Sequence, residues 1–300
     1  ITTYLSTRKF NFAFSPTLGK KMLRRTVLLF AFGLLVNWGS DRFPSLDQLR
    51  IMGVLQRFAI CYLVVTTLAV TISHRFIPAI IGVLLVGYAL LLGLTGSYVD
   101  SPDSITAVVD HAILGQAHIL GNYNTDPEGF LSTIPSIAHT LLGFCAGRII
   151  LSKQALADRI MSLTLMASLL LFTGYLLQDV CPINKQLWTS TFTLVSCGYS
   201  LLALVVLTIV VDVRQWRFPR IPFIEFGVNP LVCYLLGEAL IIVFKAIHIQ
   251  GHSIREIGYG MLANVAGDNS FSSFLYAAII VLMVWVCARL MYRRNIVVSL

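Results

Sequence analysis

The sequence predicts an all-α fold, a polytopic membrane helical bundle of about eight transmembrane helices, and three observations lead to it. Apolar residues make up 57% of the 300-residue chain, while Asp, Glu, Lys and Arg reach only 12%. That is about half the roughly 25% charge of a soluble domain. The mean hydropathy is +0.80. The apolar residues also fall into blocks near the ~20 residues that a helix needs to cross a bilayer. This composition excludes a soluble enzyme, a disordered chain, and a collagenous or disulfide-framework protein. The formal net charge of +8 reads first as basic cytoplasmic loops, so nucleic acid is not an expected partner.

Eight blocks follow in order: 23–39, 51–73, 76–97, 131–150, 160–178, 188–211, 222–248 and 271–291. Arg8, Lys9, Lys20, Lys21, Arg24 and Arg25 precede or open the first. Arg75 separates the second from the third, and Arg148, Lys153 and Arg159 lie between the fourth and fifth. Arg214, Arg217 and Arg220 join the sixth to the seventh, and Arg289, Arg293 and Arg294 close the eighth. With eight crossings all these residues share one side, which the positive-inside rule makes cytoplasmic. Asp100, Asp103, Asp110, Asp126 and Glu128 fall on the other side. The hydrophilic stretches 98–130 and 249–270 are then external. Cys61, Cys145, Cys197, Cys233 and Cys287 sit inside apolar blocks and only Cys181 in a loop. No CxxC pair occurs, so neither a thiol relay nor a zinc site is expected. No linker separates independent domains.

Charges inside spans carry the chemistry, since each costs about 2.5–3.5 kcal/mol or more at a helix centre. Arg50 and Arg57 open the second span seven residues apart, on nearly one helical face, with Gly53 between them and Gln56 beside. The pair suits an anionic or carbonyl group. The bland alternative is an Arg50 that snorkels to the interface and an Arg57 paired with a carboxylate in the bundle. Asp126-Pro127-Glu128-Gly129 precedes Ser132 and Thr133 at the fourth span, where acidic residues and proline suit a helix N-terminus. A carboxylate there would also serve to orient a cationic amine or accept its proton. His111, His118, Asn122 and Asn124 share that loop. A third cluster, Pro182-Ile183-Asn184-Lys185 with Trp188 and Thr189, opens the sixth span, where Lys185 and Trp188 alternatively serve as interfacial anchors. All three clusters lie at the external end and point to one polar pocket. Deeper in the membrane, His139 reads as a satisfied core histidine. Asn229-Pro230 interrupts the seventh span, which also holds Glu238, and Lys245 falls near the outer interface.

Four ordered motifs carry a resemblance: Leu49-Arg50-Ile51-Met52-Gly53-Val54-Leu55-Gln56-Arg57, Asp126-Pro127-Glu128-Gly129, Pro182-Ile183-Asn184-Lys185 through Trp188, and Gly227-Val228-Asn229-Pro230-Leu231. Together they resemble the heparan-α-glucosaminide N-acetyltransferase family in its bacterial branch, over nearly the whole chain. The resemblance implies an acyltransferase in the bacterial inner membrane. It would move acetyl from cytosolic acetyl-CoA to an external glucosamine-type amino sugar, among membrane lipid, without a metal. A homo-oligomer is one of the assemblies considered for it. Residues 1–300 would form a single acyltransferase-like domain, N-terminally incomplete, because family members carry further spans and a catalytic histidine in a His-x-x-Trp context. This chain has no His-x-x-Trp, and its first histidine is His74, so the catalytic residue stays unassigned.

Acyl transfer to a sugar amine requires a base and donors for the developing oxyanion. His118, Asp126 and Glu128 are the weak candidates for catalysis. Arg50, Gln56, Arg57, Asn184, Lys185, Trp188 and Asn229 are the candidates for binding sugar or acyl-CoA. The phosphates of coenzyme A would meet the basic cytoplasmic side. An amino-sugar transporter or a non-catalytic membrane protein is the competing reading, since a polar pocket between helices serves transport as well. The charge asymmetry sets a direct test. In a background without native cysteines, a single cysteine near Asp103 should react with an impermeant reagent on intact cells, and one near Lys20 should not. The reverse pattern rejects the topology.

Overall fold

The computed structural model describes residues 1–40, 45–121, 123–216 and 220–298. Asn122 and Arg217 lie outside the described residues, as does the side chain of Arg220. The described elements are helices α1 (Thr2–Arg8), α2 (Pro16–Ser40), α3 (Val54–Thr71), α4 (Ile77–Leu94), α5 (Ile105–Leu114), α6 (Thr133–Ile150), α7 (Leu156–Leu176), α8 (Ser190–Thr208), α9 (Arg220–Val228), α10 (Pro230–Ala246), α11 (Ile254–Ala266) and α12 (Ser270–Arg293). A two-residue hairpin, β1 (His248–Ile249) with β2 (His252–Ser253), completes them. Among the described residues, seven helices are long and apolar enough to cross a membrane, and the bent pair α9–α10 adds an eighth if counted as one span. The chain is an all-α integral membrane protein.

The chain divides into two compact units: Ile1–Leu34 with Ser45–Val210, and Leu35–Pro44 with Val211–Leu300. In the first, α6 packs against α3, α4 and α8, and α7 lies along α8. Val65, Ile81, Ala138, Leu141, Phe144, Leu163, Ala167 and Leu201 meet in its core. Backbones approach closely where small residues allow it, because helix association in lipid relies on packing instead of water exclusion. A Cβ at Gly198 would stand 2.6 Å from Leu171 Cγ and 3.1 Å from the Ala167 carbonyl, and one at Gly174 would stand 2.6 Å from Val195. The short α1 lies on α3 and α6, where Tyr4 meets Phe144 edge-on at 5.0 Å.

Several boundaries differ from the sequence expectation. The first span opens at Pro16 instead of 23, so Lys20, Lys21, Arg24 and Arg25 already belong to its helix. Arg25 lies over the Tyr62 ring at 4.6 Å. The second span starts at Val54, not 51, because Gly53 is fully extended (φ −177, ψ −177) and Ile51 N–H bonds the His118 carbonyl. Arg50 and Arg57 therefore share no helical face. The stretch 98–130 contains α5, and 249–270 contains β2 and α11, which opens on a Ser253–Glu256 capping box. The hairpin turns at Gln250 and Gly251, both at positive φ, as a two-residue type I′ connection requires.

In the second unit, α12 packs against α9, α10 and α11. The expected span 222–248 is two helices bent by 87° at Asn229. Pro230 has no N–H for the carbonyl of residue 226 and its ring crowds that turn. Asn229 steps out of helical geometry (φ −130, ψ 55) to cap α10. Its amide then bonds the C-terminal segment, donating to Ile296 O at 2.8 Å and accepting from Val298 N at 2.7 Å.

The α7–α8 contact supplies a stability test. Gly198→Val drives two methyls into Leu171 and the Ala167 carbonyl, an overpacking that costs about 1–3 kcal/mol. The melting temperature of the detergent-solubilised protein should fall by several degrees, whereas Gly87→Val, which meets open space, should leave it in place.

Candidate functional site

The loop 126–132 between α5 and α6 organises the polar end of the first unit. Asp126 is fully buried, and its carboxylate accepts Arg50 Nε at 2.9 Å and Nη2 at 2.6 Å. It also accepts the N–H groups of Leu120 at 3.2 Å and Glu128 at 2.9 Å. Arg50 Nη2 reaches Glu128 Oε2 at 2.5 Å. Burial opposes the charge on Arg50, but the bonds and charges of Asp126 and Glu128 outweigh it and raise its pKa. Arg57 donates Nη2 to the Pro127 carbonyl at 2.9 Å and to the Ser132 hydroxyl. The bland expectation thus has its roles exchanged: Arg50 holds the carboxylates, and Arg57 bonds neutral oxygens. Because α6 begins only at Thr133, with no acidic residue in its first turn, Asp126 and Glu128 do not serve as helix-dipole partners.

A second carboxylate, named in the sequence only as an external acid, underlies this loop. Asp110 on α5 is buried and accepts Phe130 N at 2.7 Å and Asp126 N at 3.2 Å. Gly129 owes its identity to this contact, since a Cβ there would lie 2.0 Å from Asp110 Oδ2. Burial pushes the Asp110 carboxyl up to about 6, aided by the Asp126 charge and opposed by the two backbone hydrogen bonds. Asp100 ties the loop's other end, accepting Thr125 N at 3.0 Å and Gln186 Nε2 at 2.8 Å.

Behind the loop, the Arg57 guanidinium lies over the Trp188 ring at 4.8 Å. Trp188 adopts φ +50, a left-handed conformation uncommon outside glycine and asparagine. The motif around it explains how. Asn184 Oδ1 accepts Gln186 N at 2.8 Å and Leu187 N at 3.3 Å. Thr189 Oγ1 accepts Asn184 N at 3.0 Å and donates to Pro182 O at 2.8 Å. The turn so fixed aims Trp188 at Arg57, with the His139 ring 6.0 Å from the indole. Arg57 Nε and Nη1, His139 Nδ1, Trp188 Nε1 and both amide atoms of Gln56 are buried with no hydrogen-bond partner among the described residues. His139 is therefore not the satisfied core histidine expected. Gln56 lies against α2, where a Cβ at Gly33 would fall 2.2 Å from its Oε1.

The remaining candidates are placed differently. Lys185 is exposed. His118 Nδ1 lies 2.7 Å from the Leu49 carbonyl and His111 Nε2 3.0 Å from the Asn124 carbonyl, so both pin backbone. Asn229 belongs to the second unit, bonded to the C-terminal segment. Sequence reasoning missed Ser132 as the Arg57 acceptor and Glu225, a buried carboxylate 3.8 Å from Arg289. Among the described residues no cluster of three or more His, Cys, Asp or Glu is arranged to hold a metal.

No family model matches the chain. The heparan-alpha-glucosaminide N-acetyltransferase of Homo sapiens is 26% identical over 335 residues, covering 92% of this chain and 48% of that protein. The heparan-alpha-glucosaminide N-acetyltransferase of Mus musculus is 25% identical over 336 residues, covering 92% of this chain and 49% of the relative. The chain spans about half the length of the curated relatives it matches. These matches support the family to which the four motifs point.

The raised Asp110 pKa predicts a pH window. The folded state binds the Asp110 proton more tightly than the unfolded chain, whose carboxyl titrates near the ordinary value of 3.8. Its contribution to stability is therefore fully present at the acid end and declines as pH rises toward about 6. Asp110→Asn should flatten that decline. Melting temperatures at pH 4.5 and 7.5 should differ more for wild type than for the variant, and equal differences would reject the titration.

Proposed function

From its similarity to the heparan-α-glucosaminide N-acetyltransferases over nearly its whole length, we propose that this chain carries the membrane core of an acetyl-CoA-dependent N-acetyltransferase. Its acceptor is an amino sugar of the glucosamine type, presented at the end of the first unit that holds loop 126–132. The matched relatives' names and the four motifs support the reaction class. The acid-rich stretch 98–130 supports an external acceptor, and an inner-membrane location follows only if the resemblance to the family's bacterial branch holds. Residues 1–300 act as one acyltransferase-like domain.

The observation that carries the reading is Arg57: a guanidinium on a rigid helix, fixed by the Pro127 carbonyl, the Ser132 hydroxyl and the Trp188 ring, with Nε and Nη1 unpaired. A buried, unpaired donor costs about 1–3 kcal/mol, and such a cost is retained where a developing charge will use it. In the transfer, the neutral sugar amine attacks the thioester carbonyl and forms the C–N bond. Negative charge builds on the carbonyl oxygen, where Arg57 donates. The intermediate then collapses, the C–S bond breaks, and the proton of the acylated nitrogen passes to the departing thiolate, leaving the amide and the free thiol of coenzyme A. Glu128, at the rim of the Arg50 pair, is placed to orient an ammonium before it becomes the neutral amine. Asp126, fully engaged with Arg50, holds the loop. Trp188 and Asn184 position Arg57, and Gln56 offers an amide to the acyl group. Lys185 and Asn229 remain binding candidates at the exposed edge and in the second unit. His118 fixes the Arg50 entry strand instead of taking the proton.

Arg57→Lys tests the assignment, because an ammonium cannot reproduce a planar fork of donors. In the full-length natural protein, the variant should insert and fold normally while acetyl transfer from acetyl-CoA to glucosamine falls at least tenfold, about 1.4 kcal/mol. Near-normal transfer by a stable Arg57→Lys protein would sink the site.

A further inference from the structure

A second polar feature lies in the first unit, away from Arg57. The chain 69–75, where α3 ends and α4 begins, borders with Phe12 and Arg148 an open surface cleft of about 560 Å³. That volume falls within the range of small-ligand sites, roughly 300–1,000 Å³. We infer that this cleft is a binding site for a phosphate-bearing ligand.

Its charge is of one sign. Arg75 and Arg148 line it together with His74, and no Asp or Glu is among the lining residues. Neither arginine has a carboxylate partner among the described residues, where the ion pairs of arginine belong to Arg50 and Arg289. The two guanidiniums come from separate elements, 73 positions apart, so helix periodicity does not explain their meeting. Phosphate offers paired oxygen acceptors that the planar fork of an arginine fits bidentately. Arg75 is held at the rim over the Phe76 ring at 4.7 Å. Arg148 in the last turn of α6 also suits the helix dipole, but a dipole partner needs no cleft beside it.

The wall is built at a conformational cost. Asn11 and Phe12 are consecutive residues at positive φ, 53° and 55°, a left-handed conformation that asparagine tolerates and a bulky residue such as phenylalanine adopts rarely. Phe10 N and Phe12 N both bond the Thr7 carbonyl, at 2.9 and 3.1 Å, which locks the turn. The Phe12 ring then meets His74 edge-on at 4.6 Å, and His74 meets Phe144 at 5.3 Å. His74 Nε2 lies 3.0 Å from the Ala69 carbonyl. A carbonyl only accepts, so this nitrogen carries the hydrogen and anchors the ring. The result is an aromatic floor under a cationic rim, suited to a ligand with a flat or apolar part beside its phosphate.

Two sources share that chemistry: the nucleotide end of an acyl donor, which rests on the acyltransferase reading, and the headgroup of an anionic phospholipid, which does not. The test uses the full-length protein in nanodiscs. Binding of adenosine 3′,5′-bisphosphate is measured by calorimetry in phosphatidylcholine discs. Retention of phosphatidylglycerol is measured by native mass spectrometry after release from mixed discs. Arg75→Gln/Arg148→Gln should weaken one of these at least tenfold, with Arg75→Lys/Arg148→Lys recovering much of the loss and Lys153→Gln leaving it unchanged. If the double variant is poorly folded, Arg75→Gln alone, at an exposed position, should still weaken binding severalfold. Loss of bisphosphate binding supports the nucleotide source, and loss of phosphatidylglycerol retention supports the lipid source. Probe binding unaltered in a folded double variant overturns the site. Neither readout depends on catalysis, so an inactive wild type that still binds through these arginines would count against the acyltransferase reading while leaving the cleft intact.

Discussion

Asp126 has no water-facing surface, and an ionised carboxylate in that setting is tolerated only with full compensation. Arg50 supplies two parallel bonds and the N–H groups of Leu120 and Glu128 supply two more. Much of the surrounding structure follows from that requirement. Arg50 reaches Asp126 from a non-helical stretch, since Gly53 is fully extended and α3 starts only at Val54. The extended strand is held in turn by Ile51 on the His118 carbonyl and by His118 Nδ1 at the Leu49 carbonyl. Asp126 N and Phe130 N then anchor to Asp110, which brings α5 under the loop and leaves room for nothing larger than glycine at 129. The motif Asp-Pro-Glu-Gly is thus a structural unit before it is a chemical one.

The spans were legible because lipid imposes a length and an apolarity that no other environment demands. Their ends were less so, since the polar residues near them serve tertiary contacts that hydropathy does not encode. Lys20 and Lys21 looked like a leading loop, yet long side chains extend along a helix that starts at Pro16. The arginines, carboxylates and Trp188 stood out as charged or amphipathic residues at a bilayer boundary, and the structure does bring Arg50, Arg57, Asp126, Glu128, Ser132 and Trp188 together. Their pairing was not legible. Assuming a helix through 50–57 put both arginines on one face, whereas a single extended glycine uncouples them, and φ at Gly53 leaves no trace in composition. Asp110 and Gln56 were likewise opaque in role, because what defines them is contact with Gly129 and Gly33, residues far away in sequence.

Asn229 illustrates the opposite case. The proline after it announced an interruption, and the 87° bend is there. Its amide was expected to face a ligand, but the break frees the side chain to bond Ile296 and Val298 instead. A buried side-chain amide needs partners of its own, and here the backbone of the C-terminal segment supplies both. Proline signals where backbone pairing fails, not which partner repairs it.

Arg57 differs from Arg50 in how little of it is neutralised. Arg50 meets two carboxylates, while Arg57 meets a carbonyl, a hydroxyl and an aromatic face. These contacts fix its position without cancelling its charge. A formal ion pair would have stabilised the resting protein more but left a smaller field for an incoming anion, since the partner carboxylate would screen it at close range. Placing Asp126 and Glu128 on Arg50, seven residues earlier, ties the loop down and leaves Arg57 without a carboxylate in hydrogen-bond contact. The left-handed Trp188, held by the Asn184 turn and Thr189, completes this division: it limits guanidinium motion by stacking, which consumes no N–H donor. The two arginines on this loop are thereby held in different ways, Arg50 by carboxylates and Arg57 by neutral oxygens and an aromatic face, and on the acyltransferase proposal that difference is what leaves Arg57 donors for the substrate.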